Sequence, residues 1–466
     1  MKIILFGVGA YYQAFKKIYS NEDEILYFID NNPERWGEKI DEKIVYPPQQ
    51  VVRDLFDYII LLSSKSYEMK DQLSQMGIDK KKLLSYEEYR MKTRGHLIEF
   101  HRAGNEYADI KKKILIVSTK LDYNGGSLAA VYAAKALSKR QYKVVLATPE
   151  GDACFVEETI QTGISVAICP ALPSVTEEIR TWVQEFDAII VNVFQMIAAA
   201  CNLSMIKPTM WWIHECSSKY DGLYERIRKT YSEYDNEEKM SKIAICAVSS
   251  IAKDNFNYYY PNRIQKILPY GIPCEGKRVF GEKREGKIVF SVIGGMSALK
   301  NQKLLMEALK FVQSDVLDNI EIWFIGNYNS KYGKEVEKNA KEYSFVKLLG
   351  SMSRKEILHA MEHIDVVVCS SLEETMSITI TEGMMLGKLC LATSNSGMAS
   401  YITQGENGFV FESGDARDLG AKMQEILEKK DAWNHIRKKA METYETYFSM
   451  DVFGERLEVL MEELIG

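Results

Sequence analysis

The chain has 466 residues, of which 46% are hydrophobic and 27% are charged, as expected for a folded protein that buries large cores. Its formal net charge of -6 argues against a nucleic-acid partner, because such a partner calls for a basic footprint on the protein. The sequence has no apolar run near the roughly 18 residues that span a bilayer, and it does not open with a signal-peptide pattern.

We therefore predict a cytoplasmic protein. Its eight cysteines are scattered without a Cys-x-x-Cys pair, which favours reduced core thiols over disulfides or metal ligands. Local basic stretches at 111–113 and 277–287 are typical of solvated linkers. Peripheral association with the inner face of the membrane and a homo-oligomeric state stay open.

Three segments of the chain open alike. Apolar strands begin at Lys2, Lys113 and Lys287, and each leads into a glycine-bearing turn and then a helical pattern. Strands and helices alternate after each opening, and the strands are rich in β-branched residues, so parallel sheets are expected. The length also suggests about three domains.

More polar stretches at 92–112 and 275–286 separate these three units. We predict Rossmann-like domains at 1–92, 113–280 and 284–445. The segment 446–466 has apolar positions at helical spacing, and we predict a final helix that packs back on the middle domain.

The first domain carries part of a dinucleotide-binding pattern. Gly7 and Gly9 follow its first strand, and Asp30 follows Gly9 by about 20 residues, where a ribose-binding acid is expected. Tyr12 occupies the place of the third glycine. A nucleotide site at Gly7, Gly9 and Asp30 is therefore one hypothesis, and a scaffold or oligomerisation role is the one we favour.

The middle domain has two candidate positions. Gly125 and Gly126 precede an alanine-rich helix, so their backbone N–H groups can face an anion or a sugar oxygen, although a plain tight turn explains them as well. His214 ends the strand-like stretch 209–213, where it could donate to a substrate oxygen. A structural histidine is the alternative.

The third domain combines a glycine turn with a lysine. Gly294 and Gly295 free backbone donors at the start of a helix, and Lys300 adds a mobile cation where a diphosphate could bind. Parallel strands bring their carboxyl ends to one crevice, which places these residues near the other candidates of the domain.

Two carboxylates of this domain stand eight positions apart. Glu374 follows a buried strand predicted at 365–369, and Glu382 falls in a helix predicted to open at 380–386. Both acids are then at the carboxyl edge of a sheet, where ionised carboxylates can accept hydrogen bonds from sugar hydroxyls. The alternative is that both glutamates are solvated surface charges of a loop and a helix.

Taken together, these motifs resemble those of retaining glycosyltransferase family 4. The resemblance runs from about residue 113 to 466 and implies an α/β fold with the GT-B architecture, in which two Rossmann-like domains face each other. The N-terminal Rossmann-like domain is additional to that architecture. The residues that carry the resemblance are Gly125, Gly126, His214, Glu215, Pro269 to Pro273, Lys300, Gly350, Glu374, Glu382, Ser396, Gly397, Gly405 and Gly408.

The resemblance implies a role for each matched residue. Glu374 would contact the hydroxyls of the donor sugar, Glu382 would hold the nucleotide ribose, and Lys300 would neutralise the departing diphosphate. His214 would touch the sugar near the reacting carbon, which makes Glu374, Lys300 and His214 the candidate catalytic residues. The candidate donor-binding residues are Gly125, Gly126, Gly294, Gly295, Glu382, Thr375, Met376 and Ser377.

The family moves a sugar from a nucleotide sugar with retention at the anomeric carbon and generally needs no metal. We accordingly predict no metal site and no cofactor, a hexose-type sugar carried by a UDP-sugar donor, and a glycan, lipid-linked or protein acceptor. Two positions depart from the family pattern: Gly295 stands where an arginine is usual, and Ser400 where a glutamate is frequent. A non-catalytic GT-B partner or glycan-binding protein and a GT-B epimerase of UDP-sugars are the alternatives.

Overall fold

The computed structural model describes residues 1–19, 22–53, 55–95, 97–104, 110–217, 219, 222–276, 278 and 286–466. Within these ranges the chain forms three large sheets, each with helices packed against its buried strands. The predicted α/β class is confirmed, since neighbouring strands in all three sheets are parallel except at two edges.

The first sheet uses the N-terminal part of the chain. In spatial order its strands are Lys39–Ile40, Lys43–Tyr46, Glu24–Ile29, Lys2–Phe6, Tyr58–Leu61 and Leu83–Ser85. The associated helices are Ala10–Ile18, Ser66–Gln75 and Tyr86–Arg94, with 3-10 turns at Pro33–Arg35, Pro48–Arg53 and Lys80–Lys82. Strand order reverses beside the first strand, as in a doubly wound domain.

The second sheet has eight strands. In spatial order they are Lys266–Ile267, Ile243–Ala247, Thr209–Ile213, Ala188–Asn192, Lys113–Val117, Lys143–Thr148, Ser165–Ile168 and Glu99–His101. A separate pair joins Lys120–Leu121 to Glu150–Gly151. Its helices are Gly125–Lys139, Ala153–Gln161, Glu177–Val183, Ile197–Leu203, Leu223–Thr230, Glu237–Met240 and Ser250–Tyr259, with a 3-10 turn at Phe194–Met196.

The edge strand Glu99–His101 lies in the polar stretch 92–112, which the sequence predicts to separate two domains. It pairs antiparallel with Ser165–Ile168. Sequence patterning missed it because three residues are too few to show an alternation of apolar and polar side chains.

The third sheet is wholly parallel. In spatial order its strands are Val346–Gly350, Ile320–Ile325, Ile288–Ile293, Val366–Cys369, Leu389–Thr393 and Phe409–Phe411. Its helices are Lys303–Ala308, Ser314–Leu317, Lys331–Ala340, Arg354–His363, Ile378–Met385, Ala416–Glu428 and Trp433–Tyr447, with 3-10 turns at Leu309–Phe311, Gly397–Tyr401 and Lys430–Ala432.

The last helix, Met450–Ile465, returns to the middle of the chain and packs on helix Gly125–Lys139. Phe453 stacks on the buried Trp212 with ring centroids 5.8 Å apart. Arg140 Nε lies 3.2 Å from the carboxylate of Glu458. The helix therefore ties the end of the chain to the second sheet through both apolar and charged contacts.

All eight cysteines are free, and five of them are buried. Cys154 and Cys274 are exposed, so the prediction of core thiols does not extend to these two. Among the described ranges we find no helix whose length and apolar character would suffice for a membrane span.

Candidate active site

The carboxyl edges of the second and third sheets meet at a cavity of about 200 Å³. Gly125 and Tyr270 reach it from the middle domain, and residues that follow strands Ile288–Ile293 and Val366–Cys369 line its opposite wall. The lining residues that concern the site are Gly125, Tyr270, Gly294, Lys300, Gln302, Ser370, Ser371, Glu374, Met376, Ser377 and Thr379.

Lys300 and Glu374 form an ion pair at this cavity. The lysine side chain is 39% exposed and the carboxylate 13%, so the pair is open to the cavity on the lysine side. The charge of Glu374 raises the pKa of Lys300, because a neighbouring carboxylate favours the protonated amine. Lys300 therefore carries its positive charge at neutral pH.

The backbone around these two residues is held by the third sheet. Ser370 Oγ donates to the carbonyl of Lys300 at 2.8 Å, and the N–H of Glu374 donates to the carbonyl of Asn395 at 3.0 Å. Glu374 forms a parallel bridge with Ser396 as well. This extended pairing ties the Glu374 backbone to the third domain.

Small residues let the backbone line the cavity. Gly294 has φ +147°, a conformation that residues with a Cβ rarely adopt. Ser377 accepts from the N–H of Ile380 at 3.3 Å and so caps the helix Ile378–Met385. The helix begins at Ile378, two residues before the predicted start, and its N-terminal end faces the cavity, where a partial positive charge favours an anion.

His214 lies beside the cavity lining rather than in it. Its ring stacks on that of Tyr270 with centroids 6.2 Å apart, and its Nε2 is buried without a hydrogen-bond partner among the described residues. Burial lowers the pKa of His214 to about 3, because a desolvated imidazole resists protonation. The ring is therefore neutral, and the hydrogen-bonding capacity of its Nε2 is unused among the described residues.

The neutral state of His214 predicts an acid sensitivity. An unfolded histidine has a pKa of about 6.5, so below that value the unfolded state binds a proton that the folded state does not. Stability from this group is fully present above about pH 6.5 and is lost as the pH falls toward the folded pKa of about 3. Each pH unit within this window costs at most about 1.4 kcal/mol.

We expect the free energy of unfolding to fall less in His214→Asn than in the unchanged protein when the pH is lowered from 7 to 5. Urea unfolding at both pH values measures this difference, and His435→Asn, at an exposed position of the helix Trp433–Tyr447, serves as the matched control. Equal losses in all three proteins would contradict a buried neutral imidazole.

Glu382 lies one turn into the helix Ile378–Met385 and is 1% exposed. Burial raises its pKa, although its ion pair with Arg354 acts in the opposite direction. Arg354 also approaches Glu275 at 3.5 Å. Tyr132 of the middle domain is close enough for the charges of Arg354 and Glu382 to influence its ionisation, so the group stands where the two domains approach each other.

The structure brings most predicted residues together. Six line one cavity: Gly125, Gly294, Lys300, Glu374, Met376 and Ser377. Five others are outside the lining: Gly126, His214, Gly295, Thr375 and Glu382. The first four are next to a lining residue in the chain or, for His214, through ring stacking, whereas Glu382 lies one turn further along its helix. Gly126 is tied to the strand end by Asn192, whose Nδ2 donates to its carbonyl at 2.9 Å. Gly295 has open space where a Cβ would stand, so the position of the missing arginine is sterically free.

The residues Gly7, Gly9 and Asp30 follow strands Lys2–Phe6 and Glu24–Ile29 of the first sheet and do not line this cavity. Both oxygens of Asp30 accept backbone hydrogen bonds, from the N–H of Val8 at 3.1 Å and of Asn32 at 2.8 Å. The carboxylate thus holds the glycine turn in shape. A nucleotide site here stays a prediction.

Sequence reasoning missed two residues of the site. Tyr270 donates from its hydroxyl to the carbonyl of Met376 at 2.8 Å, across the two domains. Glu373 is buried beside Glu374 and points into the middle domain. Tyr270 lies within the motif 269–273, which could have drawn attention to it, whereas only the fold gives Glu373 a meaning. Among the described residues, no group of three or more His, Cys, Asp or Glu side chains is placed to hold a metal ion.

Residues 275–443 match the family of glycosyl transferases group 1. The match covers the third domain of the chain. Residues 1–84 match a second family, described as C2185-like, N-terminal.

Curated relatives match this chain over limited lengths. The protein EpsD of Bacillus subtilis is 25% identical over 194 residues, which are 39% of this chain and 50% of that protein. A sulfoquinovosyl transferase of Arabidopsis thaliana is 30% identical over 145 residues, or 30% of this chain and 28% of the relative. The chain thus spans half or less of the length of these two relatives.

Solved structures share the fold over more of the chain. HepE of Anabaena, solved in complex with UDP and glucose, is 17% identical, covers 76% of this chain and 100% of its own, and has a TM-score of 0.63. WaaG, a glycosyltransferase involved in lipopolysaccharide biosynthesis, is 14% identical, covers 74% and 99%, and has a TM-score of 0.54. These neighbours confirm the predicted GT-B fold.

Proposed function

We propose that the chain is a retaining glycosyltransferase that moves a hexose-type sugar from a UDP-sugar to a glycan, glycolipid or glycoprotein acceptor. The observation that carries this proposal is the Lys300–Glu374 pair in the cavity between two facing α/β sheets. A fixed cation and a carboxylate side by side match the two ends of a sugar diphosphate.

Cleavage of a sugar–diphosphate bond builds negative charge on the leaving group and positive charge on the sugar. Fixed charges and dipoles aimed at those positions lower the barrier most. In the proposed roles, Lys300 and the N-terminal end of helix Ile378–Met385 face the diphosphate, and Glu374 accepts from the sugar hydroxyls. The neutral His214 offers a hydrogen bond near the reacting carbon without adding positive charge there.

The proposed reaction uses no cofactor and no metal, because Lys300 already supplies a cation for the leaving group. The choice of a UDP-sugar rests on the HepE structures, which were solved with UDP and with UDP-glucose. Retention rests on the family resemblance. The predicted cytoplasmic location, contact with the membrane surface and homo-oligomeric state stay predictions.

We propose that the N-terminal domain acts as a scaffold. Arg90 donates from Nη1 to the carboxylate of Glu150 at 2.8 Å, and the hydroxyl of Tyr86 donates to the same oxygen at 2.7 Å. Arg90 and Tyr86 are both buried at this contact. The strand Glu150–Gly151 in turn pairs with Lys120–Leu121, which leads into the Gly125 turn. The contact with the N-terminal domain therefore supports the strand pair that precedes this turn.

Two alternatives differ from transfer in what they release. A non-catalytic GT-B protein would bind a nucleotide sugar or glycan without releasing nucleoside diphosphate. A GT-B epimerase would convert one UDP-N-acetylhexosamine into its isomer. The charged pair at the cavity favours a reaction over binding alone.

A panel of nucleotide sugars tests the proposal directly. We expect a UDP-sugar to raise Tm, since a ligand at about 100 times its Kd adds about 2.7 kcal/mol of stability. The same donor should release UDP in the presence of oligosaccharide or lipid-linked acceptors, and the anomeric configuration of the product reads out retention. Binding without UDP release favours the non-catalytic alternative, and an isomerised donor favours the epimerase.

A further inference from the structure

Glu373 makes a contact between the two facing domains that the proposed chemistry does not use. Its side chain belongs to the third domain but is only 4% exposed. One carboxylate oxygen accepts from the backbone N–H of Ser217 at 2.6 Å, and the other accepts from the Ser217 hydroxyl at 2.5 Å. Asn255 also donates to the carboxylate from its side-chain amide. All three donors come from the middle domain.

The neighbouring residues divide between the two domains. Thr375 donates from its hydroxyl to the carbonyl of His214 at 2.7 Å, so it faces the middle domain as Glu373 does. Glu374 points the other way and pairs with Lys300 of its own domain. An extended backbone places alternate side chains on opposite sides, and Glu374 forms an extended bridge with Ser396.

This alternation links closure of the two domains to the orientation of Glu374. Glu373, Glu374 and Thr375 are consecutive, and the Glu374 backbone is bridged to Ser396 of the third domain. Anchoring Glu373 and Thr375 on the middle domain therefore restricts the rotation of Glu374 between them. A buried carboxylate is tolerated only where donors satisfy it. If the domains separate, the Glu373 carboxylate loses its three donors and is hydrated instead. The middle domain then no longer holds residues 373–375.

We propose that Glu373 is a positioning residue that couples closure of the two domains to the orientation of Glu374. In the closed arrangement its contacts with Ser217 and Asn255 hold Glu374 toward Lys300 and the cavity. This inference rests on the proposed function, because it assigns a role in sugar transfer. It differs from that function in needing no contact between Glu373 and substrate.

Steady-state kinetics and UDP binding by Glu373→Ala test the inference. UDP is expected to bind the third domain, so its Kd should stay within about twofold of the unchanged protein. The value of kcat should fall about tenfold or more, equivalent to at least about 1.36 kcal/mol, because fewer molecules reach the closed arrangement. Small-angle X-ray scattering of the unliganded variant should show a larger radius of gyration.

Asn255→Ala provides a second route from the opposite domain, and it decides the question if Glu373→Ala does not fold. We expect it to lower kcat in the same direction, and the double variant to lose no more than Glu373→Ala alone, since residues in one contact are not additive. Glu412→Ala, an exposed change in the same domain, is the control.

Three results would overturn the inference: an unchanged kcat, additive losses in the double variant, or an unchanged radius of gyration. Failure of the proposed function looks different, because the unchanged protein would then neither bind UDP nor turn over any donor. The scattering measurement needs no turnover and tests closure in either case.

Discussion

Lys300→Ala is expected to lower kcat/KM for the nucleotide sugar about 100-fold to 1,000-fold. Removal of a single group that stabilises developing negative charge typically costs about 2.7–4 kcal/mol of transition-state stabilisation. Among the described residues that line the cavity, Lys300 is the cationic one. Gly295 has no side chain that could supply a second positive charge. Initial rates of UDP release at varied donor concentration measure the loss.

Lys347→Ala is the matched control for this change. Lys347 pairs with Glu321 at 2.7 Å and is 45% exposed, close to the exposure of Lys300, but the pair lies on the outer strands of the third sheet. Its removal deletes the same charge from the same domain without touching the cavity. If Lys300→Ala kept kcat/KM within about threefold, well under the roughly 1.36 kcal/mol of a tenfold change, the diphosphate role would be wrong.

Glu374→Ala should abolish most donor-dependent release of UDP, with a loss of about 100-fold in kcat/KM. A hydrogen bond to a charged group contributes about 1.5–3 kcal/mol, and the carboxylate can accept from more than one sugar hydroxyl. The substitution also leaves Lys300 without its ion pair. The losses in Lys300→Ala and Glu374→Ala should therefore not add when the two are combined.

Glu321→Ala, the acidic half of the control pair, removes an equivalent carboxylate away from the cavity. We expect its turnover to match that of the unchanged protein. A Glu374→Ala variant that retained full turnover would contradict a role for this residue in donor recognition. Donor binding without turnover in both Glu374→Ala and the unchanged protein would instead favour a binding module.

Much of the fold could be predicted because it follows from local patterns. Buried parallel strands are continuous apolar runs, and several predicted strands agree with the structure within one or two residues, as at Thr209–Ile213 and Val366–Cys369. Parallel topology then places the ends of those strands at one edge. The proximity of Lys300 and Glu374, which are 74 positions apart, followed from this rule alone.

The partners of buried charges could not be predicted in the same way. Nothing in the sequence shows that Arg354 pairs with Glu382, or that both carboxylate oxygens of Asp30 accept hydrogen bonds from backbone N–H groups. A carboxylate in a printed sequence is equally suited to solvent, ligand or cation. Its choice depends on which donors the folded chain delivers within about 3 Å.

The sequence by itself determined the α/β class, the repeated strand openings, and the residue types available for sugar-diphosphate chemistry, because periodicity and spacing are local properties. Only the tertiary structure decided that Glu374 faces Lys300 while Glu373 faces Ser217 and Asn255. Two adjacent glutamates have the same chemistry, and an extended backbone sends them to opposite sides. Which side meets the cavity depends on how two distant sheets pack together.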